Sequence, residues 1–224
     1  MVEEALKKIK DLLKQASELA SNMVKLSTEG LVKRKKELLE KVLYDMEPKL
    51  DAMSIEIDEA CISFLAKYQP LAKDLRTVAT CFKIIDDVER IGDLAVNVAE
   101  SAIFLIGKPQ VKPLIDIPRM ASEVSMMLAQ SIEAFLNENI ELAKEVWLHD
   151  DVIDTLRDQV NRELLTYMIS DPTTIERCFH LMRIARCLER IGDHTTNIAE
   201  RTIYMISGEI IAHQKRMKNI EGTT

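Results

Sequence analysis

The 224-residue chain is short of structure breakers and of rings. It has six glycines and six prolines, and aromatic residues are 4% of the total. No C-x-x-C pair occurs among Cys61, Cys81, Cys178 and Cys187, so a thiolate zinc site is disfavoured. In a reducing compartment the four are most simply buried free thiols. No apolar run approaches the ~18 residues of a membrane-spanning helix. The start, MVEEALKKIK, is charged and lacks the apolar segment of a signal peptide. Basic excess is missing too. The net charge is −7, which argues against sequence-independent binding of nucleic acid. A cytosolic protein with no membrane insertion is expected.

What remains is rich in helix formers, with 47% hydrophobic and 30% charged residues. Leu6, Ile9, Leu13, Ala16, Ala20, Met23 and Val24 recur at three- and four-residue steps and predict a helix over about 3–27, broken at Thr28-Glu29-Gly30. A second helix is expected over about 32–67, with a kink or restart at Pro48, and a third over 71–106 after the Gln69-Pro70 turn. The basic run from Lys33 to Lys36 reads as a solvated face, or else as a contact for an acidic partner. Gly107 to Pro118 is the clearest linker. Three more helices follow, over about 119–137, 139–169 and 173–207, with Asp171-Pro172 opening the last and Gly208 closing it. The expected fold is therefore all-α: six long helices in two tandem, pseudo-symmetric three-helix bundles, residues 1–110 and 118–216.

The two halves share a sentence. ERIGDLAVNVAE begins at Glu89 and ERIGDHTTNIAE at Glu189; eight of twelve positions agree, 100 residues apart. That period is too long for a solenoid and points to duplication of a whole three-helix unit. On a helical wheel of ~100° per residue, Asp86, Glu89, Asp93, Asn97 and Glu100 form one acidic stripe beside the apolar arc. Gly92 and Gly192 interrupt the helices from inside, at a cost of about 1 kcal/mol each relative to alanine, which suggests that something packs closely there.

An acidic stripe on one helix is most simply a solvated flank. The preceding helices change this reading. Glu47 and Asp51 lie four apart on the second helix, and Asp150 and Asp154 four apart on the fifth, so each pair shares a face. In an antiparallel hairpin, residues at equal height have numbers with a constant sum. Pairing Glu47 with Asp93 and Asp51 with Glu89 centres the turn on Pro70. Pairing Asp150 with Asp193 and Asp154 with Glu189 centres it between Asp171 and Pro172. Both are turns assigned on other grounds. Four carboxylates should thus meet in each half, about 28 Å from the turn. Such a group must be protonated, paired with bases or bound to cations. Arg90 and Arg190 offset part of the charge; the rest are all-oxygen ligands suited to hard metals. At the adjacent height the same rule sets Ser54 opposite Asp86, and Arg157 opposite Arg186, which predicts a tighter first site. No Glu-x-x-His of a ferritin-type di-iron centre occurs. His149, His180, His194 and His213 read as surface or packing residues.

These residues carry a resemblance to the PhoU family of regulators of bacterial phosphate uptake and phosphate-starvation signalling. The matching stretches are Ile57-Asp58-Glu59-Ala60-Cys61, Gln69-Pro70, Asp74-Leu75-Arg76, Leu164-Leu165-Thr166-Tyr167-Met168, and both Glu-Arg-Ile-Gly-Asp segments with Asn97 and Asn197. The family's metal motif, an acid followed four residues on by Asp, is met by Glu47/Asp51, Glu89/Asp93, Asp150/Asp154 and Glu189/Asp193. The resemblance implies iron, manganese or magnesium sites, singly or in clusters, frequent dimers, no enzyme activity, and contact with the phosphate-transporter ATPase and a sensor kinase. Ser54, where several relatives have an acid, and Pro48 inside the first motif depart from the pattern.

Three other functions compete with that expectation. One is an oxygen-ligated metalloenzyme acting as hydrolase or oxidase, although the stripe lies at a bundle edge rather than in a closed cavity. Another is an accessory protein of the same family serving a different transporter. The third is a helical module whose acids are merely solvated.

Overall fold

Helix α1 (Val2–Lys33) runs straight through Thr28-Glu29-Gly30, where the sequence predicted a break. The computed structural model, which describes residues 2–208, shows why. A Cβ on Gly30 would meet Leu39 Cδ2 at 2.5 Å, so this glycine admits a neighbouring side chain and does not end the helix. The end comes at Arg34, whose φ is 54°. Lys35 N–H bonds the Gly30 carbonyl at 2.9 Å and Arg34 N–H that of Leu31 at 3.3 Å, a Schellman closure. The Arg34 guanidinium then donates to the carbonyls of Ile106 and, at 2.8 Å, of Lys108. The basic run from Lys33 to Lys36 is exposed, as a solvated face would be, and within it Arg34 also caps the C-terminal end of a helix from the same half.

The second rod is built of α2 (Lys36–Lys41), a π-helical turn (Val42–Met46) and α3 (Glu47–Tyr68). Pro48 sits in the first turn of α3, and the π turn immediately before it accommodates the proline without breaking the rod. Helix α4 (Ala72–Ile106) completes the first half. The second half repeats the pattern with α5 (Asp116–Asn137), α6 (Ile140–Ser170) and α7 (Ile175–Ser207). Asn139 caps α6 by accepting from Leu142 N–H at 3.1 Å. Gly208, at φ 76°, closes α7 as expected. No strand occurs among the described residues.

Within each half the three rods pack on one another, and the halves pack like on like: α4 lies along α7 and α1 along α5. The rods carrying α3 and α6 are the outer members. A single core runs through both bundles, including Leu13, Met23, Leu50, Ile84 and Ile91 from the first half and Met120, Phe135, Ile153 and Ile184 from the second. The linker is pinned. Lys112 is buried, with its ammonium 3.4 Å from Asp116 and bonded to Glu163 of α6, and Arg177 donates to the Pro109 carbonyl at 2.9 Å.

Candidate metal centres

Each expected centre lies in the groove between an outer rod and its neighbour, α3 with α4 and α6 with α7. In the first groove Leu50 packs on Gly92: a Cβ there would stand 2.3 Å from Leu50 Cδ2. This close approach brings the flanking acids together. Glu47, half-buried, has its carboxyl pushed above the usual range by burial and then by the charges of Asp51 and Asp93. Glu89 accepts from the buried Ser54 hydroxyl at 3.2 Å, and Asp93 from Arg90 at 2.8 Å.

Ser54 is not opposite Asp86, as equal height would have it. Ser54 instead meets Glu89, while the Asp58 carboxyl is raised by burial and then by the charge of Asp86. The contacts Leu50–Gly92 and Ser54–Glu89 step by four residues on α3 for three on α4. That is the pattern of ridges at different spacings fitting together between inclined helices; the equal-height rule assumes parallel axes.

The second groove repeats the register. Asp150 Oδ1 and Ile153 would each stand 3.6 Å from a Cβ at Gly192, an ordinary contact, so the close approach expected at both glycines exists only at Gly92. Asp193 is pushed up to about 6 by burial and then by Glu189, Asp150 and Asp154, although the residue is exposed. Where the first groove has Ser54, the second has Arg157. Its Nη1 lies 3.0 Å from Asp154 Oδ1 and also on Glu189, and its Nη2 lies 2.9 Å from Asp158 Oδ1. Arg186 is exposed on α7; Arg157 is the guanidinium that reaches the acids.

Glu47 and Asp93 are within electrostatic reach of each other across the first groove, and Asp193 is within reach of Asp150, Asp154 and Glu189 in the second. Among the described residues no group of three or more His, Cys, Asp or Glu is placed to hold a metal ion. The donor chemistry fits a hard cation, since every candidate donor is a carboxylate; the carboxyls of Glu47 and Asp193 are raised by burial first and by neighbouring carboxylates second.

Sequence reasoning missed a polar cluster on the other side of α4. Asp87 is buried and accepts from His194 Nδ1 at 2.9 Å, from Asn197 at 3.4 Å and from Arg201, all on α7. The signal was available: two residues before Glu89, Asp87 sits ~160° around the wheel, at the far edge of the buried arc. Asn97 and Glu100, read as part of the acidic stripe, are held instead by Arg183 of α7, at 2.7 and 3.4 Å. The histidines pack as expected: His149 on Glu123 at 2.8 Å and His180 stacked on Phe104. His213 lies outside the described residues.

Comparison with known proteins decides the lineage. The PhoU domain model matches twice, at residues 13–102 and 117–202, once in each half. This chain belongs to the PhoU family. It is 40% identical over 209 residues to the phosphate-specific transport system accessory protein PhoU homolog of Aquifex aeolicus, covering 93% of this chain and 94% of the relative. It is 38% identical over 208 residues to PhoU homolog 1 of Methanothermobacter thermautotrophicus, covering 91% and 94%. The crystal structure of PhoU from Pseudomonas aeruginosa superposes with a TM-score of 0.89 at 32% identity, over 93% of this chain and 100% of that one. The PhoU of Streptococcus pneumoniae shares the fold, with a TM-score of 0.85 at 22% identity.

Proposed function

We propose that this chain is a cytoplasmic accessory regulator of phosphate uptake and phosphate-starvation signalling, acting by binding rather than by catalysis. The observation that carries the reading is the match to proteins named for phosphate-specific transport along nearly the whole of both chains. Its partners would be the phosphate-transporter ATPase and a sensor kinase, with the protein itself a homodimer. No helix among the described residues is long and apolar enough to cross a membrane, so docking onto a membrane-embedded system would occur through its exterior.

Metal binding is the finer part of the proposal. Glu47, Asp51, Glu89 and Asp93 would hold iron, manganese or magnesium in the first groove, and Asp150, Asp154, Glu189 and Asp193 in the second. Such an ion would supply positive charge where the carboxylates crowd, fixing an outer rod to its neighbour. Deleting the gene in its host tests the regulatory reading: alkaline phosphatase should be derepressed in high phosphate. Unchanged phosphatase together with unchanged phosphate uptake would refute it.

A further inference from the structure

Ser54 and Arg157 occupy the same place in the two repeats. Each lies three residues after the motif aspartate of its outer rod, Asp51 or Asp154, and each donates to the repeat-equivalent glutamate, Glu89 or Glu189. Their chemistry differs completely. A serine hydroxyl is neutral and gives one hydrogen bond. A guanidinium carries a permanent charge and several donors in a rigid fork. Arg157 uses them to join Asp154 of α6 to Glu189 of α7 and to hold Asp158 as well. Joining carboxylates of the two helices is what a metal would do there. In the first groove the charged partner is Arg90, which approaches Asp93 from a side chain that is 62% exposed.

Resting on the metal reading above, we propose that Arg157 is a built-in counter-ion occupying the second centre, so that metal loads the first groove and enters the second only by displacing this guanidinium. Bidentate and bridging guanidinium–carboxylate bonds are among the strong ones in proteins, and a like charge at the entrance opposes an incoming cation. The second centre should therefore bind a divalent ion at least about tenfold more weakly than the first. The two halves, nearly identical in motif, thereby become unequal in load.

Mn2+ titration of the metal-stripped full-length protein, with free Mn2+ read by electron paramagnetic resonance, tests this. The wild type should show one tight class of binding, lost in Glu89→Gln/Asp93→Asn and kept in Asp154→Asn/Glu189→Gln. Arg157→Ser, which installs the first groove's residue, should add a second class of similar affinity. Its metal-free melting temperature should fall and be restored by Mn2+; a purely structural ion pair would give a fall that Mn2+ does not restore. Equal binding by the two knockouts would overturn the inference even if Arg157→Ser failed to fold. So would a folded Arg157→Ser with unchanged Mn2+ uptake, and in that case the metal reading survives. If neither the wild type nor Arg157→Ser bound Mn2+, the metal reading itself would fall and this inference with it.

Discussion

The buried Asp87 carboxylate of α4 accepts a hydrogen bond from His194 Nδ1 of α7 at 2.9 Å, with Arg201 on its other oxygen. This relationship crosses between the halves, and the repeat does not reproduce it: the residue 100 positions on is Cys187, not an acid. Removing one member of a buried pair leaves the other charge uncompensated. Arg201 keeps 29% of its side chain exposed and can recover some hydration. Asp87→Ala should thus cost about 2–3 kcal/mol and lower the melting temperature by roughly 5–10 °C. Asp87→Asn, which retains an acceptor, should cost less. Thermal melts of the two variants check this; an unchanged Asp87→Ala would mean the cluster is incidental.

The two repeat glycines should respond to alanine with opposite signs. At Gly92 the added methyl meets Leu50, itself buried and confined, an overpacking cost of about 1–3 kcal/mol. At Gly192 nothing stands nearer than 3.6 Å, and the gain in helix propensity is about 0.5–1 kcal/mol. Chemical denaturation of Gly92→Ala and Gly192→Ala should show the first losing and the second gaining stability.

Asp193 makes stability depend on pH. Its folded pKa, about 6, lies above the ordinary 3.8 because of burial and then its acidic neighbours. The folded state therefore holds the proton more tightly than the unfolded one. The stabilisation this provides is complete below the unfolded pKa and is lost as pH rises through about 6. In metal-free protein at pH 7.5, Asp193→Asn should melt higher than the wild type. Discounting for water at the site, the gain is roughly 1–3 °C, and it should shrink towards zero near pH 4.

The thiols should be inert in the native protein. All four cysteines are free and buried, and burial above all pushes Cys61 and Cys81 up to about 12. At pH 8 only about one in 10,000 of such thiols is ionised. Ellman's reagent should label less than one thiol per chain within minutes, and all four after denaturation. Rapid native labelling of Cys61 or Cys81 would contradict the packing.

What was legible in the sequence follows from how local each signal is. Pro70, Pro172 and Gly208 punctuate helices through their own backbone chemistry, so those turns could be placed. The acids could be assigned to the two grooves because a hairpin sets which helix faces lie together once the turn is known, but the inclination of the helices shifted the register from the equal-height expectation. Gly30 misled, since its role depends on Leu39 entering from the next rod. The capping contact of Arg34 could not be read because its acceptors, the carbonyls of Ile106 and Lys108, lie more than 70 residues away. Asp87 was missed for a further reason: its meaning depends on α4 lying against α7, and a duplicated sequence does not say which face of one copy meets the other.

That last choice sets the scale of cooperativity. Because α4 lies on α7 and α1 on α5, each copy of the repeat buries apolar surface on its twin, and a copy released alone would expose the flank formed by α1 and α4 or by α5 and α7. The segment that was duplicated is thus smaller than the segment that melts. Heating should give one calorimetric transition rather than two, and cutting the chain within the linker should yield fragments that reassociate rather than two independent bundles.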